Sequence, residues 1–185
     1  MLTQILLETD LDPTAVIGGK LEALHGSARV GHSQTMVCEA CEFVDTFLKL
    51  SPDVAVVLNI DADHLDYFKT LDNIIHSFHR FCEMTSRTLI VNGDDTNTLQ
   101  AIDGINGKEI IRFGYGEEND YYPKNIVRHN GLLTTFDLYF HNAKLTSIEL
   151  HVPGAHNILN AVAACAAAIH AGASPEEARR GLSKF

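Results

Sequence analysis

The chain has 185 residues, 45% of them apolar, and its 24 acidic against 14 basic side chains give a formal charge of -10. That length suits one domain with a substantial core rather than two. The acidic balance, with no basic tract, disfavours nonspecific nucleic-acid binding, and no window reaches the roughly 18 apolar residues of a membrane span.

Four cysteines, Cys38, Cys41, Cys82 and Cys165, are too sparse for a disulfide framework in a chain this long. They point to a reducing compartment, the cytoplasm. The N-terminus carries Glu8, Asp10 and Asp12 and no basic stretch, so it does not read as a secretory signal.

Residues 1–9 read as a helix that starts abruptly, as though something precedes it. A short strand over Thr14–Ile17 should end at Gly18-Gly19, and Lys20–Ser33 reads as a loop at the ligand edge. Thr35–Glu39 reads as a strand and about Glu42–Leu50 as a helix. Val54–Leu58 is five apolar residues without alternation, the pattern of a strand covered on both faces, as in a parallel sheet. Asp61, Asp63, His64 and Asp66 crowd the loop beyond it, where open α/β sheets hold ligands.

Leu71–Met84 repeats apolar residues at Leu71, Ile74, Ile75, Phe78 and Phe81, a helix with one face on the sheet. Thr88–Val91 and Asn97–Ile102 form a second strand–helix unit around Asn92-Gly93-Asp94-Asp95, which predicts right-handed crossovers. From about 105 to 152 the texture becomes antiparallel, with strands over Glu109–Phe113, Leu133–Phe140 and Lys144–Val152 in an appendage of two or three strands. Tyr121-Tyr122-Pro123 fits an edge piece. The alanine-rich Ile158–Ala171 is a helix ended by Gly172. Ser174-Pro175-Glu176-Glu177 then spells an N-cap, a helix-starting proline and a capping-box glutamate.

Four stretches could carry chemistry. Asp61-Ala62-Asp63-His64 could bind a divalent ion, or hydrolyse with one, or be a polar loop. Cys38-Glu39-Ala40-Cys41-Glu42 has C-x-x-C spacing without a second pair, so packed thiols compete with zinc or redox use, and Glu39 sits at a strand end. Asn157 and Asn160 share a helical face, and their amides match the edge of a planar base, although His156 and Asn157 could merely cap the helix. In Gly26–Ser33, Arg29, Ser27 and Ser33 could meet an anion or simply be solvated. Neither G-x-x-x-x-G-K-S/T nor G-x-G-x-x-G occurs in the chain.

Three of these segments, in this order and spacing, resemble the Mur ligase family: Cys38-Glu39-Ala40-Cys41-Glu42, Asn59-Ile60-Asp61-Ala62-Asp63-His64-Leu65-Asp66, and Gly154-Ala155-His156-Asn157-Ile158-Leu159-Asn160-Ala161. Val16-Ile17-Gly18-Gly19 fits the alanine-adding branch. The resemblance implies that residues 1–185 are the central ATP-binding domain, cut at both ends. Its α/β fold would have a mostly parallel sheet flanked by helices, of the P-loop type but lacking its phosphate loop, with a small antiparallel sheet.

It further implies that Glu39 and His64 act in catalysis by holding Mg2+, and that His156, Asn157 and Asn160 bind ATP at the adenine. L-alanine would be joined to UDP-N-acetylmuramate through an acyl phosphate, both substrates being gripped by flanking domains, so the piece alone should turn over little. The family's E-A-D-E-S-D stretch reads Glu39-Ala40-Cys41-Glu42-Phe43-Val44 here, which keeps open a noncatalytic nucleotide-binding or scaffolding module. Related ligases carry a carbamylated lysine near the position of His79, and none is expected here.

Overall fold

The computed structural model describes residues 1–185. In the smaller sheet, β1 (Thr14–Leu21) lies between antiparallel β2 (Gly26–Arg29) and parallel β3 (Met36–Cys38). The larger sheet runs in chain order through β4 (Val54–Val57), β5 (Thr88–Asn92), β6 (Glu109–Phe113), β7 (Tyr121–Arg128), β8 (Thr134–Phe140) and β9 (Ala143–Leu150). Its first four strands are parallel and its last three antiparallel. Around the sheets lie α1 (Leu2–Leu6), α2 (Leu65–Phe68), α3 (Leu71–Met84), α4 (Thr96–Ile102), α5 (Ala155–His170) and α6 (Pro175–Ser183). A kinked 3-10 segment spans Phe43–Lys49.

Two cores sandwich the larger sheet. One collects Ile90 and Phe113 with α1, α5 and α6; the other collects Leu89 and Val91 with α3, α4 and the 3-10 segment. Adjacent residues of β5 thus feed opposite layers, as the period of two requires, and every residue of Thr88–Asn92 is buried. The same logic explains the apolar run of β4: Ala55 and Val57 face the second core, while Val54 and Val56 pack on the first. A fully buried side chain such as Leu89 or Val91 contributes about 1.5–3 kcal/mol by leaving water.

Local signals fix the helices. Thr70 accepts from Asn73 N (3.3 Å) to start α3 over the expected residues, and Ser174 with Glu177 forms the full capping box of α6. The alanines of α5 are buried from Ala161 to Ala168 and bring the helix against β5, β6 and β7.

Several expectations need correction. The sheet is mixed rather than mostly parallel, because the antiparallel strands continue it instead of forming an appendage. β4 is its edge strand, and β5 is the strand buried throughout. β1 does not stop at Gly18-Gly19; it runs on to Leu21 with an irregularity between Val16 and Leu21, and residues read as loop form β2. A glycine pair inside a strand there marks a distortion, not an end.

Tyr121-Tyr122-Pro123 opens an eight-residue strand inside the sheet. β7 meets β6 at one pair only, Phe113↔Tyr121, so Pro123 has no strand on its β6 side, and its missing N–H is tolerated. The helix expected over Glu42–Leu50 is instead broken by left-handed backbone at Val44 and Asp45.

Candidate functional site

The carboxyl ends of β4, β5 and β6 form one rim, joined side to side by hydrogen bonds. The loop after β4 is held from the β5 side: Asn92 donates to Leu58 O (2.9 Å), Asn97 donates to Ile60 O (2.8 Å), and Ile60 N donates to Asp95 Oδ2 (3.1 Å). The same Asp95 carboxylate caps α4 by accepting from Thr98 N (2.9 Å). Ile60 itself is buried and anchors the loop in the second core.

The next joint is Gly93 N to Phe113 O (2.8 Å), and Asp94 accepts from Tyr115 N and from the Asn119 amide. Tyr115 then donates its hydroxyl to Ala155 O (2.8 Å), at the first residue of α5. Burial raises the pKa of the Tyr115 phenol, which keeps it a donor. The rim therefore runs unbroken from the His64 loop to the amino end of α5.

His64 has left-handed backbone (φ 52°) and precedes α2. Its Nε2 lies 3.5 Å from Glu42 Oε1 and its Nδ1 3.7 Å from Asp63 Oδ1, and the Phe43 ring tilts over it at 4.8 Å. The His64 and Glu42 side chains are each 34% exposed, open enough to meet a ligand. Asp61 and Asp63 turn back to accept from Ala62 N and His64 N (2.7 Å each). No three His, Cys, Asp or Glu side chains are grouped to hold an ion, so the three-ligand hydrolase centre does not form.

Glu39 is exposed just past β3, and its N–H donates to Val16 O (2.9 Å). Its carboxylate lies against Gly18, where any Cβ would collide with it. On α5, Asn157 donates to Pro153 O (2.6 Å) and Asn160 donates to Asn157 Oδ1 (3.4 Å), so the two amides do share a face. His156 is exposed, with its ring over Gly154.

The middle-domain model of the Mur ligases matches residues 18–168. The chain belongs to that family. It is 37% identical to the UDP-N-acetylmuramate–L-alanine ligase of Caldanaerobacter subterraneus and 40% identical to that of Clostridium novyi, across all of this chain and 40% of each relative. The chain thus spans about 40% of the length of the curated relatives it matches.

Among solved structures, a UDP-N-acetylmuramate:L-alanyl-gamma-D-glutamyl-meso-diaminopimelate ligase of Neisseria meningitides superposes with TM-score 0.87 at 26% identity, over all of this chain and 60% of that one. The UDP-N-acetylmuramate-alanine ligase of Thermotoga maritima shares the fold, with TM-score 0.82 at 22% identity, over 100% and 41% of the two chains.

In this Mur ligase middle domain, Glu42 pairs with His64 and Asn157 with Asn160, whereas the Glu39 carboxylate lies at Gly18 and forms no ion pair with His64. Two cavities of about 390 and 270 Å³ include none of Glu39, His64, His156, Asn157 and Asn160. Arg29 is not free for an anion, since Asp12 takes its guanidinium. Cys38 and Cys41 are exposed free thiols rather than packed ones, because β3 ends into an open loop. His79 faces away, with Nδ1 2.8 Å from Ala101 O on α4.

Sequence reasoning passed over Glu42, Asp95 and Tyr115. Asn92-Gly93-Asp94-Asp95 reads as a turn, and its position after a buried strand is the signal that its acids organise the neighbouring loop.

Proposed function

We propose that residues 1–185 are the ATP-binding middle domain of a ligase that joins L-alanine to UDP-N-acetylmuramate. What carries this reading is the 37–40% identity, over the whole chain, to ligases bearing that name. Two free thiols on the surface suit a reducing compartment, and we assign the protein to the cytoplasm.

Glu39 and His64 are the proposed Mg2+ ligands. The fit rests on the donor set: one carboxylate and one imidazole, both accessible, with no cage of three protein ligands around them. An ion that keeps several waters and takes its other oxygens from phosphates suits so sparse a set. When bound, Mg2+ would offset the charge that grows on the transferred phosphoryl oxygens.

His156, Asn157 and Asn160 would meet the adenine. Asn157 spends one N–H on Pro153 O and its oxygen on Asn160, which leaves the oxygen of Asn160 and the remaining amide hydrogens for a base edge. ATP would phosphorylate the sugar-lactyl carboxylate, and the amine of L-alanine would attack the acyl phosphate and expel phosphate.

The test uses the protein with its flanking sequence, supplied with ATP, UDP-N-acetylmuramate and L-alanine. Alanine-dependent release of one phosphate per amide is expected, and His64→Ala should lower turnover roughly 10²–10³-fold. ATP binding without acyl phosphate formation would instead indicate a noncatalytic module, the reading favoured by Phe43 and Val44 in the acidic stretch.

A further inference from the structure

We infer that Asp45 is a positioning residue, which sets the Glu42–His64 pair through Tyr67. The inference rests on the reading of His64 as a metal ligand and adds a residue outside the family motifs quoted above.

Two contacts repeat one turn apart. Glu42 precedes the 3-10 segment and His64 precedes α2; their side chains lie 3.5 Å apart. Three residues further along each element, Asp45 accepts from the Tyr67 hydroxyl at 2.9 Å. Glu42–His64 and Asp45–Tyr67 are therefore two successive ties between the same two elements. Phe43 fills the space between them, 4.8 Å from the His64 ring and 6.5 Å from the Tyr67 ring. Ser77 on α3 donates to the other Asp45 oxygen and anchors both ties to the helix that floors them.

The backbone argues that this arrangement is enforced. Val44 (φ 53°, ψ 35°) and Asp45 (φ 55°, ψ 28°) are consecutive left-handed residues without a glycine, and a β-branched valine is especially disfavoured there. Such conformations are strained and persist only where surrounding contacts over-determine them. A local cap would be the plainer role for Asp45. Its carboxylate, however, takes no backbone N–H of its own segment; both donors come from 22 and 32 residues away. The result is a carboxylate that fixes the loop, while the loop fixes Glu42 beside His64.

The test adds substoichiometric Mn2+ to the intact chain and follows paramagnetic broadening of the His64 imidazole protons by NMR, with the β5 amide signals reporting the fold. Broadening of His64 is expected in the unaltered protein, reduced roughly tenfold in Asp45→Ala, the scale of an outer-shell loss. Asp45→Asn, which still offers an oxygen to Ser77, should recover most of it. Tyr67→Phe removes only an exposed hydroxyl, so it decides the matter if Asp45→Ala does not fold; it too should weaken the broadening.

Equal broadening in Asp45→Ala and the unaltered protein, or in Tyr67→Phe where the alanine variant does not fold, overturns the positioning role and leaves the metal reading intact. No broadening in the unaltered protein overturns both.

Discussion

Gly18 shows how one missing atom makes room for a neighbouring side chain. The Glu39 carboxylate occupies the space that a Cβ would take, so Gly18→Ala must displace a proposed ligand without touching it chemically. The expected outcome is an apparent Mg2+ requirement raised about tenfold with little change in melting temperature, measured as turnover against Mg2+. Asp137, on β8, has a purely structural part. Lys144 holds its carboxyl at about 2, aided by Ser147 and Asn125. A carboxylate depressed in the folded state stabilises above its unfolded value near 3.8 and loses that contribution as pH falls toward 2. Asp137→Asn should therefore cost on the order of 1 kcal/mol at pH 7, after solvent screening, and almost nothing near pH 2; urea titrations at both pH values check this. Glu39 and His64 were legible as residues because a motif spells them. Asp45 was not, since its role depends on left-handed backbone that no residue type there announces.

Elements were legible where the signal is local. α3 and α6 could be read from periodicity and caps, and both occur as expected. β2 and the length of β7 could not, because pairing with β1 or β8 overrides glycines and a proline that read as breakers. Two caps of similar chemistry separate structure from site. Ser174→Ala removes the α6 cap and should cost about 1 kcal/mol with unchanged nucleotide binding. Asp95→Ala removes the α4 cap and also frees Ile60 N, so it should cost about 2–3 kcal/mol. It should in addition weaken ATP binding, because the loop carrying His64 loses a tie to β5. Denaturation and nucleotide titration of both variants make the comparison; equal effects on binding would mean that the rim is not joined through Asp95.

For the whole molecule, the question is whether the layers on either side of the larger sheet unfold as one. Cys82 lies in the α3 layer and Cys165 in the α5 layer, and neither has any exposed surface. Burial pushes the Cys82 thiol up to about 11 and the Cys165 thiol to about 12, so neither offers thiolate to a reagent at pH 8. Cys38 and Cys41 stand exposed at and just past the end of β3. Titration with a colourless aromatic disulfide should therefore show two fast thiols and two that wait for unfolding. Leu89 and Ile90 are neighbours on β5 that enter opposite cores, so Leu89→Ala and Ile90→Ala each open one layer, at about 2–5 kcal/mol. Every residue of β5 is buried and shared between the layers, which predicts a single cooperative unit. Either variant should then speed the reaction of Cys82 and Cys165 by the same factor. Acceleration of Cys82 alone in Leu89→Ala would show that the α3 layer opens by itself, with β5 no longer transmitting the loss across the sheet.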